Sequence, residues 1–142
     1  MTKQDEVNLS ELVDKLKACL NPIFVEYDIS FAYLSGSWVK GHQHSESDID
    51  IFISFPLFDK DREEFLEKFL DLVTEVELTC KIQGIELSVL EKVPLHVQFR
   101  AIKEGILLFE SSEGIHINYL EKLMKYYYDH KIWFEKYLSQ AV

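Results

Sequence analysis

The sequence predicts a single α+β domain in which helices flank a small mixed β-sheet. A length of 142 residues is typical of one domain, which we place over residues 1–142. The composition, 47% hydrophobic and 28% charged, is typical of a globular chain and excludes disordered, collagen-like and repeat-array proteins. Segments with strand-like alternation also lie between segments with helical spacing, which indicates a layered domain that contains both kinds of element.

The first predicted element is a helix near the N-terminus. Apolar residues between positions 12 and 20 recur at helical spacing. Asn8 or Ser10 can cap the start of this helix, because a short polar side chain accepts a hydrogen bond from its free N–H groups. Pro22 follows, and proline is common just past a helix end.

Strands are predicted over residues 29–34, 48–55, 82–90 and 106–109. Ser35-Gly36-Ser37 closes the first strand. The polar residues 38–47 then predict a short helical turn and a loop. The second strand alternates strictly, so its isoleucines point to one face and its aspartates to the other.

Three more helices complete the predicted fold. An acidic amphipathic helix over 61–76 carries an apolar stripe, namely Phe65, Phe69, Leu70, Val73 and Val76. Pro94 suits the first turn of a helix that runs to about Glu104, and Gly105 ends it. The last predicted helix covers 117–138, with four apolar residues near one face: Leu120, Met124, Tyr127 and Phe134.

The net charge of −10 excludes a protein that binds duplex nucleic acid through its general surface, because neutralising phosphates requires clustered Lys and Arg. Residues 46–77 are especially acidic, with 11 acids and three bases. The cysteines, Cys19 and Cys80, are interpreted as free thiols in a reducing compartment. The sequence contains neither a signal peptide nor a membrane-spanning apolar run, so we expect a cytoplasmic protein without a membrane partner.

The informative motif is Gly36-Ser37, then ten intervening residues, then Asp48-Ile49-Asp50. Asp48 and Asp50 share one strand face, where two ionised carboxylates repel each other unless a cation neutralises them. Carboxylate oxygens suit Mg²⁺, which is often bound together with phosphate oxygens. Glycine lets a backbone approach a phosphate, and backbone N–H groups with a serine hydroxyl can bind it. The motif therefore predicts a nucleoside triphosphate site.

Glu86 supplies a third carboxylate on the next predicted strand. Adjacent strands lie about 4.8 Å apart, so Glu86 can reach a metal that Asp48 and Asp50 share. It can also accept the proton of an attacking hydroxyl. Taken alone, an Asp-x-Asp strand is often only a solvated face; the combination with Gly-Ser and a later carboxylate favours a functional site.

Three other residues have side chains that could bind a metal or a base, but their spacing does not indicate a site. His42 and His44 lie in the loop between the two motifs, but no third ligand stands at zinc-site spacing, which favours a solvated loop. Trp38 directly follows Ser37, and we interpret it as a packing residue or as a residue that stacks on a base.

The segment LSGSWVKGHQHSESDIDIFISF resembles the signature of the nucleotidyltransferase superfamily that has the DNA polymerase β palm. The segment that follows it and the tail YLEKLMKYYYDHKIWFEKYL resemble the minimal nucleotidyltransferase (MNT) group. The likeness runs over about residues 10–140. It implies a polymerase-β-like nucleotidyltransferase fold.

The resemblance also implies a function and a set of roles. Many minimal nucleotidyltransferases are the antitoxin half of HEPN–MNT pairs, and they transfer AMP from ATP to a tyrosine of the HEPN ribonuclease toxin. The implied partners are therefore ATP and such a toxin. Two Mg²⁺ ions would be held by Asp48, Asp50 and Glu86, and the triphosphate by Gly36, Ser37 and Lys40.

The chain departs from the family pattern at two positions and leaves two rival functions open. Glu86 stands where the family usually has Asp, and Lys40 where it often has Arg. One rival is nucleotidyl transfer to a small-molecule acceptor, although such relatives usually carry an additional domain. The other is an antitoxin that only binds its toxin, although the acidic motif would then be unnecessary.

Overall fold

The computed structural model describes residues 3–40, 48–129 and 135–136. In chain order its elements are α1 (Lys3–Glu26), β1 (Phe31–Ser35), α2 (Ser37–Lys40), β2 (Ile49–Ser54), α3 (Leu57–Lys60), α4 (Arg62–Thr79), β3 (Ile85–Val89), a 3₁₀ turn (Leu90–Lys92), α5 (Leu95–Glu104), β4 (Ile106–Glu110) and α6 (Ile115–Asp129). No helix in the described part of the chain is long and apolar enough to cross a membrane.

The strands form one mixed sheet in the order β3-β2-β1-β4. β1 runs antiparallel to both of its neighbours, whereas β2 and β3 are parallel. The antiparallel β1–β2 pair is joined through α2, while α3 and α4 make the crossover that a parallel pair needs. The prediction of a small mixed sheet flanked by helices is confirmed.

Helices cover both faces of the sheet. Successive strand residues point to opposite sides, and apolar side chains on each side are buried under helices. On the first face, α1 and α4 bury a core that includes Leu34 of β1 and Ile51 of β2. On the second face, α5 and α6 pack against Phe31 and Tyr33 of β1. Each buried side chain of this size contributes about 1.5–3 kcal/mol to stability, so both faces hold the sheet in place.

The first helix differs from the prediction at both ends. α1 begins at Lys3, before either predicted cap, and continues through Pro22 to Glu26. Ile23 and Phe24, which follow the proline, are buried in the first core. Their burial offsets the backbone hydrogen bond that a proline removes from a helix interior.

The apolar stripes of α4 and α6 are partly wrong in the prediction. Leu70 is 58% exposed and Leu72 is fully buried in its place. In α6, Met124 is exposed and Leu123 is buried. The prediction for Phe134 lies outside the described residues. The short helix α3 was not predicted.

The two cysteines are paired, which corrects their interpretation as free thiols. Cys19 of α1 and Cys80, just after α4, form a disulfide with their Cα atoms 5.4 Å apart. That separation lies within the usual range for a disulfide. The sequence could not show it, because the two residues are brought together only when α1 and α4 pack side by side on the first face.

Candidate active site

The end of β1 and the start of β2 meet at one end of the sheet. β1 ends at Ser35, and Gly36 turns the chain into α2 with a φ of 81°. Asp48 directly precedes β2. Because the two strands are antiparallel, Ser35 lies opposite Asp50. The two halves of the predicted motif are therefore neighbours in space.

Gly36 is in close contact with Asp50. Its positive φ is a conformation that residues with a side chain rarely adopt. A Cβ atom at this position would collide with Oδ2 of Asp50 and would lie 3.2 Å from its Cγ. The glycine, interpreted from the sequence as a close approach for phosphate, thus also leaves the space that the Asp50 carboxylate fills.

Glu86 lies opposite Asp50 on the neighbouring strand. The parallel register pairs the two residues directly, so their side chains leave the same face of the sheet. Ile85 and Leu87, on either side of Glu86, pack against the first core. Their burial turns Glu86 towards the face of Asp50, where its side chain is exposed.

The three carboxylates repel one another. The pKa of Glu86 is raised, first by the charge of Asp48, then by partial burial, and further by the charge of Asp50 and a hydrogen bond with its side chain. All of these causes disfavour the ionised form of Glu86. A cation bound beside the three side chains would reverse this effect.

These carboxylates do not make a complete metal site by themselves. Among the described residues, no group of three or more His, Cys, Asp or Glu side chains could hold a metal ion. Their oxygen atoms nevertheless suit a hard cation such as Mg²⁺, which often takes only one or two carboxylates and completes its shell with phosphate and water. The donor set therefore fits a metal ion that arrives with a phosphate ligand.

The other predicted positions are only partly described. The backbones of Ser37 and Lys40 belong to α2, but their side chains lie outside the described part of the structure, as do His42 and His44 entirely. Trp38 packs against the first core, and its Nε1 is buried without a hydrogen-bond partner among the described residues. The packing interpretation of Trp38 is confirmed.

Comparison with known protein families identifies the fold. The family described as polymerase beta, nucleotidyltransferase matches residues 19–114, which is more than half of the chain. The chain belongs to this family. The match covers every predicted site residue, and it confirms the prediction that the protein is a nucleotidyltransferase enzyme with the polymerase-β-like fold.

Individual relatives of this nucleotidyltransferase agree with the family. It is 28% identical over 101 residues to a protein of Methanocaldococcus jannaschii named as the protein adenylyltransferase MJ1379, covering 70% of this chain and 95% of that protein. A crystal structure of a toxin–antitoxin with AMP-PNP has a similar fold, with a TM-score of 0.53, 18% identity and coverage of 94% and 98% of the two chains. A mutant of the toxin–antitoxin MntA-HpeT also has a TM-score of 0.53, with 14% identity and coverage of 94% and 97%.

Two polar residues on the sheet face that carries Asp50 and Glu86 were not predicted from the sequence. Ser35 lies opposite Asp50, and Ser88 follows Glu86 by two residues on the same face. Both side chains are half-buried. Alternation along each strand could have indicated them, because a residue two positions from another shares its face.

Proposed function

We propose that this nucleotidyltransferase is a single domain over residues 1–142 that transfers AMP from ATP to a tyrosine of a HEPN ribonuclease toxin and so acts as its antitoxin. The name of the relative in M. jannaschii and the toxin–antitoxin structures of similar fold support this proposal. The observation that carries it is the register of the sheet. Asp50 and Glu86 lie side by side, Asp48 raises the pKa of Glu86, and Gly36 leaves room for the Asp50 carboxylate.

Asp48, Asp50 and Glu86 are proposed to hold two Mg²⁺ ions in this reaction. When bound, Mg²⁺ supplies charge neutralisation for the phosphates and makes the tyrosine hydroxyl easier to deprotonate. The backbone at Gly36 and the side chains of Ser37 and Lys40 are proposed to hold the triphosphate, as the resemblance implies.

The proposed step is an in-line substitution at the α-phosphorus of ATP. A bond forms between the tyrosine oxygen and that phosphorus, and the bond to the oxygen bridging the α- and β-phosphates breaks. Pyrophosphate leaves with the electron pair. The tyrosine proton needs an acceptor, and we assign this role to the carboxylate of Glu86, which is exposed and lies opposite Asp50.

The test is transfer of label from ATP labelled at the α-phosphate to the protein encoded by a neighbouring gene, which we propose to be a HEPN toxin. We expect label on a toxin tyrosine, located by peptide mass spectrometry, and loss of the toxin's ribonuclease activity. Asp48→Asn and Asp50→Asn should each abolish transfer, because each removes a charge that holds an ion. Asp59→Asn is the matched control, since Asp59 is an exposed acid on α3 outside the site.

Other outcomes would point to the rival functions. A tight complex with the toxin and no label would indicate an antitoxin that only binds. Label on a small molecule and none on protein would indicate a different acceptor. Glu86→Gln should strongly reduce transfer while Glu86→Asp retains much of it; transfer by Glu86→Gln at the parent rate would remove Glu86 from the site.

A further inference from the structure

One edge of the sheet lies beside the proposed site. In the described part of the chain, β3 pairs on one side only, with β2. The outer side of an edge strand carries N–H and C=O groups that can pair with another extended chain. β3 contains no proline, lysine or bulge to discourage such pairing.

A groove lies beside this edge on the first face of the sheet, which is the side away from Glu86. The cavity has a volume of about 480 Å³ and lies between α4 and β3. Its lining is mixed: Val73, Val76, Ile82, Ile85 and Leu87 are apolar, whereas Glu77, Lys81 and Gln83 are polar, and Gly84 completes it. Leu66 and Leu70, each 58% exposed, extend the apolar surface along α4, because they precede Val73 at helical spacing.

A strand added to β3 would contact both the groove and the proposed site. Its side chains would alternate, one set entering the groove beside Leu87 and the other lying on the face of Glu86 and Asp50. The added strand would lie about 4.8 Å from β3. A hydroxyl side chain opposite Glu86 would thus be presented to the carboxylates.

The charge of this region selects the partner. α4 carries six acidic and two basic residues, and the face of Glu86 adds Asp48 and Asp50. A second copy of the chain, with a net charge of −10, would be repelled. A segment that combines apolar residues with Lys or Arg complements both the groove and the acidic face.

We propose that the protein acceptor binds as an extended, basic segment added to the free edge of β3, with its apolar side chains in the α4–β3 groove and its acceptor hydroxyl on the face of Glu86. This inference rests on the proposed function for the identity of the reaction, while the docking itself does not depend on ATP.

The probe is a fluorescent synthetic peptide that alternates valine and lysine, with one tyrosine in place of a lysine. Binding to the full chain is measured by fluorescence anisotropy without ATP. One control peptide carries N-methyl groups on alternate amides, which blocks pairing with a strand edge. Another has glutamate in place of lysine. We expect both controls to bind at least about tenfold more weakly, the size expected for losing a dominant contact.

Protein variants test the apolar surface that continues the groove along α4. Leu66→Ser with Leu70→Ser should weaken binding of the probe by at least about tenfold. Leu78→Ser is the matched control, because Leu78 is a 72% exposed leucine on the same helix that lies off the stripe formed by Leu66, Leu70 and Val73. Equal losses in both variants, or equal binding of the N-methylated peptide, would overturn the proposal. A dimer that the Leu66 and Leu70 substitutions dissolve would assign the groove to a second copy and would also overturn it.

The position of the tyrosine tests presentation of the acceptor. With Mg²⁺ and ATP, AMP should be transferred to a tyrosine that replaces a lysine, and not to one that replaces a valine and points into the groove. Transfer to both peptides, or to neither while binding persists, would overturn the proposed geometry. The proposed function fails separately, if the parent chain does not label the toxin.

Discussion

Gly36 and Asp50 share one small space at the end of β1. Asp50 reaches its position on β2 because its neighbours Ile49 and Ile51 are buried in the first core. The carboxylate then points over Gly36, where any Cβ atom would collide with it. The glycine therefore fixes both the backbone turn into α2 and the place of the carboxylate.

We expect Gly36→Ala to reduce AMP transfer by about a hundredfold, because a displacement of about 1 Å near reacting groups can cost that much. An alanine side chain at this positive φ should also lower the free energy of unfolding by about 1–2 kcal/mol. Transfer assays and thermal melts measure the two effects.

Gly114→Ala separates these effects. Gly114 has a φ of 83°, close to that of Gly36, but a Cβ atom there would meet nothing within 4 Å. It should lose similar stability and keep its activity. Equal losses of activity in the two variants would mean that strain, and not displacement of Asp50, explains the result.

The candidate site residues could be proposed from the sequence because the chemistry of the motif is local. Gly36-Ser37 and Asp48-x-Asp50 stand within a short stretch, and alternation alone puts Asp48 and Asp50 on one face. The contact between Gly36 and Asp50 and the pairing of Ser35 with Asp50 could not be predicted, because they depend on the register of β1 and β2. That register is set by packing of the sheet against its helices.

At the scale of elements, α4 shows why a helical stripe can be assigned to the wrong face. Leu70 stands at helical spacing with Val73, whereas Leu72 stands seven residues after Phe65, on the same side of the helix. The structure buries Leu72, and rings of Phe55 and Phe58 pack edge-on against Phe65. These contacts come from the residue that follows β2 and from α3, so the rotation of α4 could not be predicted from its own residues.

The disulfide between Cys19 and Cys80 should contribute strongly to stability. It joins residues 61 positions apart, and a crosslink over that span stabilises a fold by about 4 kcal/mol in the chain-entropy account. We expect a reductant to lower the melting temperature of the parent chain to that of Cys80→Ser, and to leave the variant unchanged. A parent melting temperature that does not respond to reductant would contradict this.

The link between β4 and α6 should be sensitive to acid. The backbone N–H of His116 donates to Glu110 at 3.3 Å, and the His116 ring also contacts this carboxylate. The side-chain hydrogen bond from His116 is the main cause that lowers the pKa of Glu110 below its ordinary value of 4.5. The folded state then holds this proton less tightly than the unfolded chain. The stabilisation is therefore present above pH 4.5 and is lost as the pH falls through the lowered pKa.

We expect His116→Ala to lower the free energy of unfolding by about 1.5 kcal/mol at neutral pH, the lower end of the range for a hydrogen bond to a charged group, and by less in acid. Denaturant unfolding at several pH values measures it. Asn118→Ala, an exposed change in the same turn of α6, is the control. A loss for His116→Ala that is the same at all pH values would remove Glu110 from the explanation.

At the scale of the whole molecule, the sheet carries a hydrophobic core on each face and the candidate site at one end of its second face. One face is covered by α1 and α4, and the other is covered by α5 and α6 near Phe31 and Tyr33. Asp50 of β2 and Glu86 of β3 lie on the second face, on the two strands farthest from β4, and Asp48 directly precedes β2. The alternation of strands and helices predicted these layers. Which helices cover which face of the sheet could not be predicted, because that depends on which residues of each helix turn inward.

The negative charge of the whole chain leads to a prediction about ATP. We expect ATP to bind tightly only when a divalent cation is present. The chain carries a net charge of −10, and Asp48, Asp50 and Glu86 add local repulsion where the phosphates are proposed to bind. Titration calorimetry should show ATP affinity at least about tenfold lower in EDTA than with Mg²⁺, a difference of about 1.4 kcal/mol. Added salt should strengthen the weak binding in EDTA, because it screens repulsion between like charges, and should weaken binding with Mg²⁺, because it screens the attraction of the ion. Asp50→Asn should reduce the difference between the two conditions, whereas Asp59→Asn should preserve it. An affinity for ATP that is the same with and without the metal would show that the carboxylates do not hold an ion beside the nucleotide.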